Sequence, residues 1–287
     1  MTSTETIPEN NYGDAIGRTE KIVRQIQYER VASLAATLDL DDSEADRPLS
    51  PGWHWLFFNS FRKRSELGQD GHPKRGGFLP DVALPRRMWA GGRLRYHAAL
   101  PVGVMAEKHS EILDVTSKFG RAGQLVFVTV CHKILFQGQL CIEEEQDIVY
   151  REAPSPDAPK PQAAPAPQGA EWSEQFVPDP VVLFRYSALT SNGHRIHYDQ
   201  PYATQEEGYP NLVVHGPLIA TLLQGFAARC RPSQTLASFD FRGMAPLFVD
   251  RPFYLEAKQG EESATLDLWV RGPDGELAMK ASSGFKA

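Results

Sequence analysis

The chain has 287 residues, a formal net charge of −6 at pH 7, and 41% hydrophobic and 23% charged residues. This length suits one large or two medium domains, and the mild acidity argues against binding to nucleic acids or to anionic membrane surfaces. No apolar run approaches the roughly 18 residues of a membrane-spanning helix, and the polar N-terminus lacks a secretory signal pattern. We therefore expect a cytoplasmic protein.

The first half of the chain is predicted to contain a helix followed by four strands. Apolar residues recur at helical spacing from Ile22 to Leu38, which predicts a helix there. A region rich in Trp, Gly and Pro follows. Strands are expected at about 92–100, 103–118, 121–136 and 138–150. The last three are predicted to form an antiparallel meander, with tight breaks at 119–120 and 137–138.

A proline-rich segment separates the two halves. Residues 153–170 read APSPDAPKPQAAPAPQGA, and proline lacks the N–H that helices and sheets require. Such a segment favours an extended polyproline conformation. We therefore divide the chain into an N-terminal domain (1–152), a linker (153–170) and a C-terminal domain (171–287).

The second half is predicted to repeat the order of helix and strands. A strand is expected near 181–189, a short helix near 199–206 and a longer helix near 216–229. Strands are then expected near 235–243, 252–260, 262–271 and 275–284. Periodicity alone thus indicates two α+β halves.

The segment 186–218 contains residues suited to acid–base chemistry. Asn192 stands five positions before His197, and Gly216 lies where the longer helix should begin. Adding water to an enoyl thioester requires a base, a proton donor and a group that stabilises the enolate oxygen. Imidazole can transfer protons near neutral pH, and an N–H at a helix N-terminus is free to bind an anion. We assign these roles to His197 and to the Gly216 N–H.

This segment resembles the motif of the MaoC-like (hydratase 2) enoyl-CoA hydratases, a GDxNPxH pattern followed by His-Gly at the start of a helix. Aligned by the histidine, the family's Asp falls on Asn192, its Asn on His194, its Pro on Arg195 and its catalytic His on His197. The resemblance implies an α+β double hot-dog fold, with two long helices each wrapped by a curved antiparallel sheet. It also implies a catalytic C-terminal hot-dog and a non-catalytic N-terminal one.

Segments of the first half resemble a narrower branch of the family. These are Pro51–Phe58, Gly71–Pro80 and Leu84–Gly92. The branch contains double-hot-dog hydratases of branched C5 dicarboxylic acyl-CoAs, including the 3-methylfumaryl-CoA (mesaconyl-C4-CoA) and itaconyl-CoA hydratases. The resemblance covers nearly the whole chain.

Asn192 departs from the family pattern, because an amide cannot accept a proton as a carboxylate can. Its side chain either orients the reacting water through one acceptor and two donors, or caps a turn, which is a common use of asparagine. In the first case His197 must carry the protons alone. The alternative for His197 itself is a structural histidine.

Several other residues are candidates for substrate binding. Arg195 either binds the distal carboxylate of a diacid, since arginine binds carboxylates bidentately, or is a solvated loop residue. His194 lies in the same loop. His215, just before the helix, either contacts substrate or satisfies backbone groups. The segment 86–93 either holds the phosphates of CoA or forms an exposed basic face beside a buried tryptophan; its candidates are Arg86, Arg87, Trp89 and Arg93.

The sequence therefore predicts a hydro-lyase that adds water reversibly to an α,β-unsaturated acyl-CoA. A branched C5 dicarboxylic substrate is expected, giving citramalyl-CoA or a related hydroxyacyl-CoA. The alternatives are a 3-hydroxyacyl-carrier-protein or enoyl-CoA dehydratase of fatty-acid metabolism, and a non-catalytic acyl-thioester binder. A thioesterase is disfavoured, because residues 216–229 contain no acidic side chain.

The expected partner is the acyl-CoA substrate, with no nucleic acid and no membrane. We expect no cofactor, since CoA is part of the substrate. We also expect no metal, since the three cysteines lack metal-ligand spacing. The chain is expected to be a monomer or a homodimer of double hot-dogs.

Overall fold

The computed structural model describes residues 12–40, 48–120, 123–153 and 163–286. Its α-helices are α1 (Tyr28–Thr37), α2 (Pro180–Leu189) and α3 (Gly216–Cys230). Its strands are β1 (Thr19–Gln25), β2 (Arg86–Tyr96), β3 (Met105–Gly120), β4 (Gly123–Phe136), β5 (Gln139–Arg151), β6 (Trp172–Phe176), β7 (Thr235–Gly243), β8 (Phe253–Gln259), β9 (Thr265–Arg271) and β10 (Leu277–Lys286). Among the described helices, none is long and apolar enough to cross a membrane.

The described strands form one antiparallel sheet to which each half contributes five strands. The strand order is β1-β3-β4-β5-β2-β7-β10-β9-β8-β6. The two halves meet where β2 pairs with β7, from Gly91 opposite Arg242 to Arg95 opposite Ser238. Backbone hydrogen bonds therefore join the two halves.

One apolar core extends across this junction. Helix α3 packs on β7, β8 and β9 and buries Leu218 and Leu223 completely. At the junction the Trp89 ring lies 5.0 Å from the Trp55 ring and 5.5 Å from the Phe241 ring. Edge-on aromatic contacts of this kind add stability beyond the area they bury, and here they connect the two halves.

Most predicted elements are present. The meander β3–β5 and the four C-terminal strands β7–β10 lie close to their predicted ranges, and a turn at Gln137-Gly138 separates β4 from β5. The helix predicted near 216–229 is α3. The short helix predicted near 199–206 is a single helical turn over Tyr202–Glu206. The α+β class is confirmed.

The prediction of a continuous helix over residues 22–38 was wrong. Its first part belongs to β1, which pairs with β3 from Thr19 opposite Glu111 to Gln25 opposite Met105. Only Tyr28–Thr37 is helical, so the N-terminal half has a helix of 10 residues rather than a long one. A short apolar pattern does not separate the two states, and the edge of β3 decides in favour of the strand.

The prediction of a strand near 181–189 was also wrong, because this segment is α2. Asp179 caps the helix by accepting a hydrogen bond from the Val182 N–H at 2.8 Å, and Pro180 occupies the first position. Both features are typical helix starts. A strand that was not predicted, β6, precedes the helix and pairs with β8.

The proline-rich segment is described only in part, since residues 154–162 lie outside the described residues. Its second part packs on the C-terminal half. Pro165 forms a bridge with Glu276, and Ala166 is buried against Trp269 and Leu277. The division at 1–152, 153–170 and 171–287 stays a prediction.

Replacing the cap of α2 tests why this segment is helical. Asp179→Ala should lower the free energy of unfolding by about 1 kcal/mol, since it leaves the Val182 N–H unpaired. Asp179→Asn keeps the acceptor and should stay within a few tenths of a kcal/mol of the parent. Urea denaturation followed by circular dichroism measures both. Equal stability of the two variants would contradict the role of the cap.

Candidate active site

His197 lies in a short 3-10 turn, Arg195–His197, and is 7% exposed. Its Nδ1 is 2.7 Å from the Val213 carbonyl oxygen. A carbonyl can only accept, so Nδ1 carries the proton and Nε2 keeps its lone pair. Burial lowers the pKa of His197 to about 4; the bond to Val213 opposes this, and the charge of His72 adds to it. The ring is therefore neutral at physiological pH, with Nε2 available as a base.

His215 lies directly against His197. It precedes α3, is completely buried, and its ring stacks on that of His197 at 3.6 Å. Its Nε2 is 2.8 Å from the Ser187 hydroxyl, whereas its buried Nδ1 has no partner among the described residues. Burial, with the charges of His197 and His194, holds the pKa of His215 well below its usual value. The stack keeps the His197 ring next to the start of α3.

Gly216 begins α3, and Pro217 follows it. An N–H in the first turn has no partner within its own helix. A Cβ atom at position 216 would meet nothing within 4 Å, so the space beside this backbone is open. These features suit an oxyanion-binding N–H, although the role of Gly216 stays a prediction.

Asn192 forms a turn through its side chain. Its Oδ1 accepts a hydrogen bond from the His194 N–H at 3.0 Å, and its own N–H donates to the Ser187 carbonyl at 2.9 Å. This is the turn-capping use of asparagine. The amide nitrogen is not used in that turn, so the proposed role in holding water stays a prediction.

A loop from the N-terminal half docks onto this motif. The Arg195 N–H donates to the Asp70 carbonyl at 2.9 Å. Gly71 has a φ of +86°, and a Cβ atom there would lie 1.9 Å from the Gly193 carbonyl oxygen. Only glycine permits this backbone-to-backbone approach.

The docked loop carries an Asp–His pair that sequence reasoning missed. His72 Nδ1 is 3.0 Å from an Asp70 carboxylate oxygen, and the His72 ring lies 4.2 Å from the His194 ring. The His194 ring in turn lies 5.5 Å from the His197 ring. Four imidazoles therefore form a row in the order His72, His194, His197 and His215.

The row is kept neutral by its surroundings. Burial, the charges of His72 and His197, and then that of Arg87 lower the pKa of His194 to about 2, against an opposing effect of Asp70. The pKa of His72 is also lowered, first by burial and then by the charge of Arg87, against the hydrogen bond that His72 donates to Asp70. Burial raises the pKa of Asp70, but its interactions with His72 outweigh this and hold it below the ordinary value. Asp70 is thus ionised beside a histidine.

Within the described residues, one set of side chains has the spacing of metal ligands. Asp70, His72 and His194 each offer one ligand atom, and these atoms lie within 4.8 Å of one another. In this structure Asp70 and His72 instead bond to each other. The prediction that the protein uses no metal stays a prediction.

The guanidinium of Arg195 already has bonding partners within the protein. Its guanidinium binds Asp199 at 2.7 Å and the Gln69 carbonyl at 3.1 Å, and it lies 4.1 Å from the centre of the Tyr202 ring. These contacts favour a structural role, in which Arg195 holds the loop 69–72 against the motif. Its predicted role in binding a carboxylate is left without support.

Two of the three arginines in the segment 86–93 are paired with carboxylates. Arg86 lies 3.0 Å from Glu207, and Arg93 binds Glu145 and Asp147 at 2.7 Å each. The indole N–H of Trp89 donates to the Gly91 carbonyl at 2.7 Å, and its ring packs in the core described above. The predicted role of these residues in holding CoA phosphates is not supported by their contacts.

Arg87 differs from its neighbours. It lies opposite Tyr150 on β5 and hydrogen-bonds that residue's side chain. It also influences the titration of His72 and His194, as given above. Its positive charge therefore disfavours protonation of two rings of the row.

A cavity of about 250 Å³ borders the motif. Asn192 and Ser187 line it from the C-terminal half, and Phe61 and Gly71 line it from the N-terminal half. The His197 ring is not part of its wall. Ser187, which is part of the wall, is hydrogen-bonded to His215, and the His215 ring stacks on that of His197.

Replacing Gly71 tests the docking of the loop. Gly71→Ala adds a Cβ atom that clashes with a carbonyl at a positive φ, and should cost at least about 3 kcal/mol of unfolding free energy. Gly103→Ala is the matched control: its φ is +88°, but nothing lies within 4 Å, so only the cost of about 1–2 kcal/mol for the backbone conformation applies. Equal losses in urea denaturation would contradict the close contact.

Comparison with solved structures identifies the fold. A MaoC-like dehydratase from Phytophthora capsici matches with a TM-score of 0.68 and 11% identity, over 96% of this chain and 98% of that one. A Mycobacterium tuberculosis protein with a double hot-dog fold matches with a TM-score of 0.55 and 17% identity, over 96% and 98%. The predicted double hot-dog fold is confirmed.

Comparison of sequences identifies the family. The mesaconyl-C(4)-CoA hydratase of Chloroflexus aurantiacus is 48% identical over 270 residues, which are 93% of this chain and 95% of that protein. The profile of the hydroxyacyl-thioester dehydratase type 2 (Htd2) family matches residues 52–249. This range contains both the loop with His72 and the motif with His197. The chain belongs to the hydroxyacyl-thioester dehydratase type 2 family.

Proposed function

We propose that this protein is a hydro-lyase that reversibly adds water to the double bond of a branched C5 dicarboxylic enoyl-CoA of the mesaconyl-C4-CoA type. The product would be citramalyl-CoA or a closely related hydroxyacyl-CoA. The observation that carries the chemistry is the buried, neutral His197 ring stacked at 3.6 Å on the residue that precedes α3. The substrate class is supported by the 48% identity to the Chloroflexus hydratase.

His197 is the proposed proton carrier. Because its Nδ1–H is bonded to Val213, its Nε2 lone pair can accept a proton from water as the oxygen attacks Cβ. The C–C double bond becomes an enolate, and the resulting imidazolium returns the proton to Cα. Water is thereby added across the bond, with no proton gained or lost overall. The low pKa of His197 makes this imidazolium a strong acid, which favours the return of the proton.

The Gly216 N–H is the proposed partner of the enolate oxygen. Negative charge develops on the thioester oxygen during attack, and a donor already oriented at a helix N-terminus stabilises it without reorganisation. Asn192, in the wall of the cavity, is proposed to position the water through its amide nitrogen.

Apart from water, the proposed reaction uses only the acyl-CoA, and it needs no cofactor or metal. We further propose a cytoplasmic protein that acts as a monomer or a homodimer of double hot-dogs. Loss of the enoyl-thioester absorbance, followed with a panel of dicarboxylic and straight-chain CoA esters, tests the substrate class. Turnover of the straight-chain esters alone would favour the fatty-acid dehydratase alternative.

Removal of the His197 base should abolish most of the activity. His197→Gln is expected to lower kcat/KM by about 10²–10⁴, the usual contribution of a general base. His109→Gln is the matched control, because His109 is exposed and bonded to Glu107 on the sheet surface, and it should leave the rate unchanged. Full activity of His197→Gln in the hydration assay would contradict the mechanism.

The pH dependence of the reaction should reflect the buried base. Since the pKa of His197 is lowered to about 4, the ring stays unprotonated as the pH falls through the ordinary histidine range. We expect kcat/KM to be flat between about pH 6 and 8 and to decline only toward pH 4, where Nε2 becomes protonated. A half-maximal rate near pH 6.5, the ordinary value, would show that the base is solvated.

A further inference from the structure

Three side chains beside the candidate active site have the identity and the spacing of metal ligands. Asp70 and His72 belong to the docked loop of the N-terminal half, and His194 belongs to the motif of the C-terminal half. One potential ligand atom from each lies within 4.8 Å of the other two. The ligand atoms around a tetrahedral Zn²⁺ stand about 3.3 Å apart, given bond lengths of about 2.0–2.2 Å. Small side-chain rotations would therefore bring all three atoms onto one ion.

We propose that Asp70, His72 and His194 form a binding site for a divalent transition-metal ion of the zinc class, which bridges the two halves of the chain. The proposed hydration reaction needs no such ion, so this site is separate from it. The expectation of a protein without metal rested on the spacing of the cysteines, whereas the ligands here come from distant parts of the sequence. Water would fill the fourth position, as is usual for zinc sites with three protein ligands.

Asp70 and His72 are already placed like two neighbouring ligands of one ion. A carboxylate oxygen of Asp70 is 3.0 Å from His72 Nδ1. The other carboxylate oxygen accepts a hydrogen bond from the His72 backbone N–H at 3.0 Å, which holds the carboxylate in place. Carboxylates that bind metals commonly have a second partner of this kind. A metal ion would replace the hydrogen between Asp70 and His72, because ligand atoms must be deprotonated to bind it.

His194 completes the set with a half-buried imidazole. Its ring lies 4.2 Å from the His72 ring, at an angle of 39°. Its ring nitrogens have no hydrogen-bond partner within the described part of the chain, whereas its backbone N–H binds the Asn192 side chain at 3.0 Å. A neutral imidazole always has one nitrogen with a lone pair. His194 can therefore offer that lone pair to a metal ion without breaking a hydrogen bond of its side chain.

The backbone contact between the two halves fixes the distance between the ligands. Gly71 lies between the two ligands of the loop, and it is in close backbone contact with Gly193, which precedes His194. On the other side of His194, the Arg195 N–H donates to the Asp70 carbonyl at 2.9 Å. The ligands are thus positioned before the ion binds, and such preorganisation lowers the cost of binding.

The surroundings let an ion enter from solvent and select its class. The side chains of Asp70 and His72 are 37% and 21% exposed. The ionised Asp70 attracts a cation, whereas the positive charge of Arg87, which acts on both imidazoles, opposes one. Imidazole nitrogens suit Zn²⁺ and Co²⁺ better than Mg²⁺ or Ca²⁺, which prefer oxygen ligands. We therefore expect a dissociation constant for Zn²⁺ in the micromolar range.

Titration of the untagged full chain with ZnCl₂ tests the site. The protein is first freed of metal with EDTA and dialysed, and binding is measured by isothermal titration calorimetry. We expect one Zn²⁺ per chain, and no binding of Mg²⁺ at the same concentrations. Asp70→Asn and His194→Gln should each weaken Zn²⁺ binding by at least about tenfold, because even the loss of a residue that only supports a ligand has an effect of this size.

His109→Gln is the matched control. It removes an exposed histidine that lies 2.9 Å from the Glu107 carboxylate, and among the described residues this pair belongs to no set of three ligands. The affinity for Zn²⁺ should therefore stay unchanged. Circular dichroism checks that each variant is folded. Asp70→Asn and His194→Gln alter different halves of the chain, so either variant carries the test if the other does not fold.

Urea denaturation tests whether the ion joins the two halves. An ion that binds only the folded chain stabilises it, so Zn²⁺ should raise the urea midpoint of the parent and of His109→Gln. The midpoint of His194→Gln should not rise at the same Zn²⁺ concentration, because the remaining ligands both belong to the N-terminal loop.

Three results would overturn the proposal. The first is a parent protein that binds no Zn²⁺ up to millimolar concentration, or binds Mg²⁺ equally well. The second is unchanged Zn²⁺ affinity in both Asp70→Asn and His194→Gln. The third is binding that is lost in Asp70→Asn but kept in His194→Gln, which would confine the ion to the N-terminal loop. None of these measurements uses the hydration assay, so their failure would leave the proposed function intact.

Discussion

The backbone contact between Gly71 and Gly193 is the interaction on which the arrangement of the histidines depends. It lets the loop 69–72 approach the motif so closely that the Arg195 N–H reaches the Asp70 carbonyl at 2.9 Å. Arg195 reinforces the contact from the side by bonding the Gln69 carbonyl. Without this docking, His72 would not lie against His194. The N-terminal half, expected to be non-catalytic, therefore supplies groups next to the candidate site.

Burial determines the protonation state of the four histidines in the row. Imidazolium is poorly solvated among packed side chains, so the pKa values of these rings fall and the rings are neutral at physiological pH. The bond from His197 to the Val213 carbonyl then leaves Nε2 unprotonated. Arg87 contributes to the same effect, since its positive charge disfavours protonation of His72 and His194. This cation thus helps to keep both rings unprotonated.

The sequence predicted the elements correctly where the hydrophobic pattern and the turn residues agree. The predictions were wrong where a short apolar run is compatible with both a helix and a strand. The strands β7–β10 and the helix α3 have clear periods and were predicted closely. In contrast, the segment 181–189 was predicted as a strand, whereas the Asp179 cap and Pro180 start a helix there. The stretch around Ile22 suggested a helix, but pairing with β3 makes it a strand. The spacing of residues along the chain does not show which strand edge is available for pairing.

By itself the sequence grouped the C-terminal candidates, because Asn192, His194 and His197 are close along the chain and His215 is adjacent to Gly216 at the start of α3. Short-range geometry is enough to bring such residues together. Only the tertiary structure decided that Asp70 and His72 join them, and that Arg86, Arg93 and Arg195 are paired with carboxylates. Ion pairs and loop docking depend on which distant strands and loops become neighbours. The packing of the whole chain decides which segments become neighbours, and local residue spacing does not indicate it.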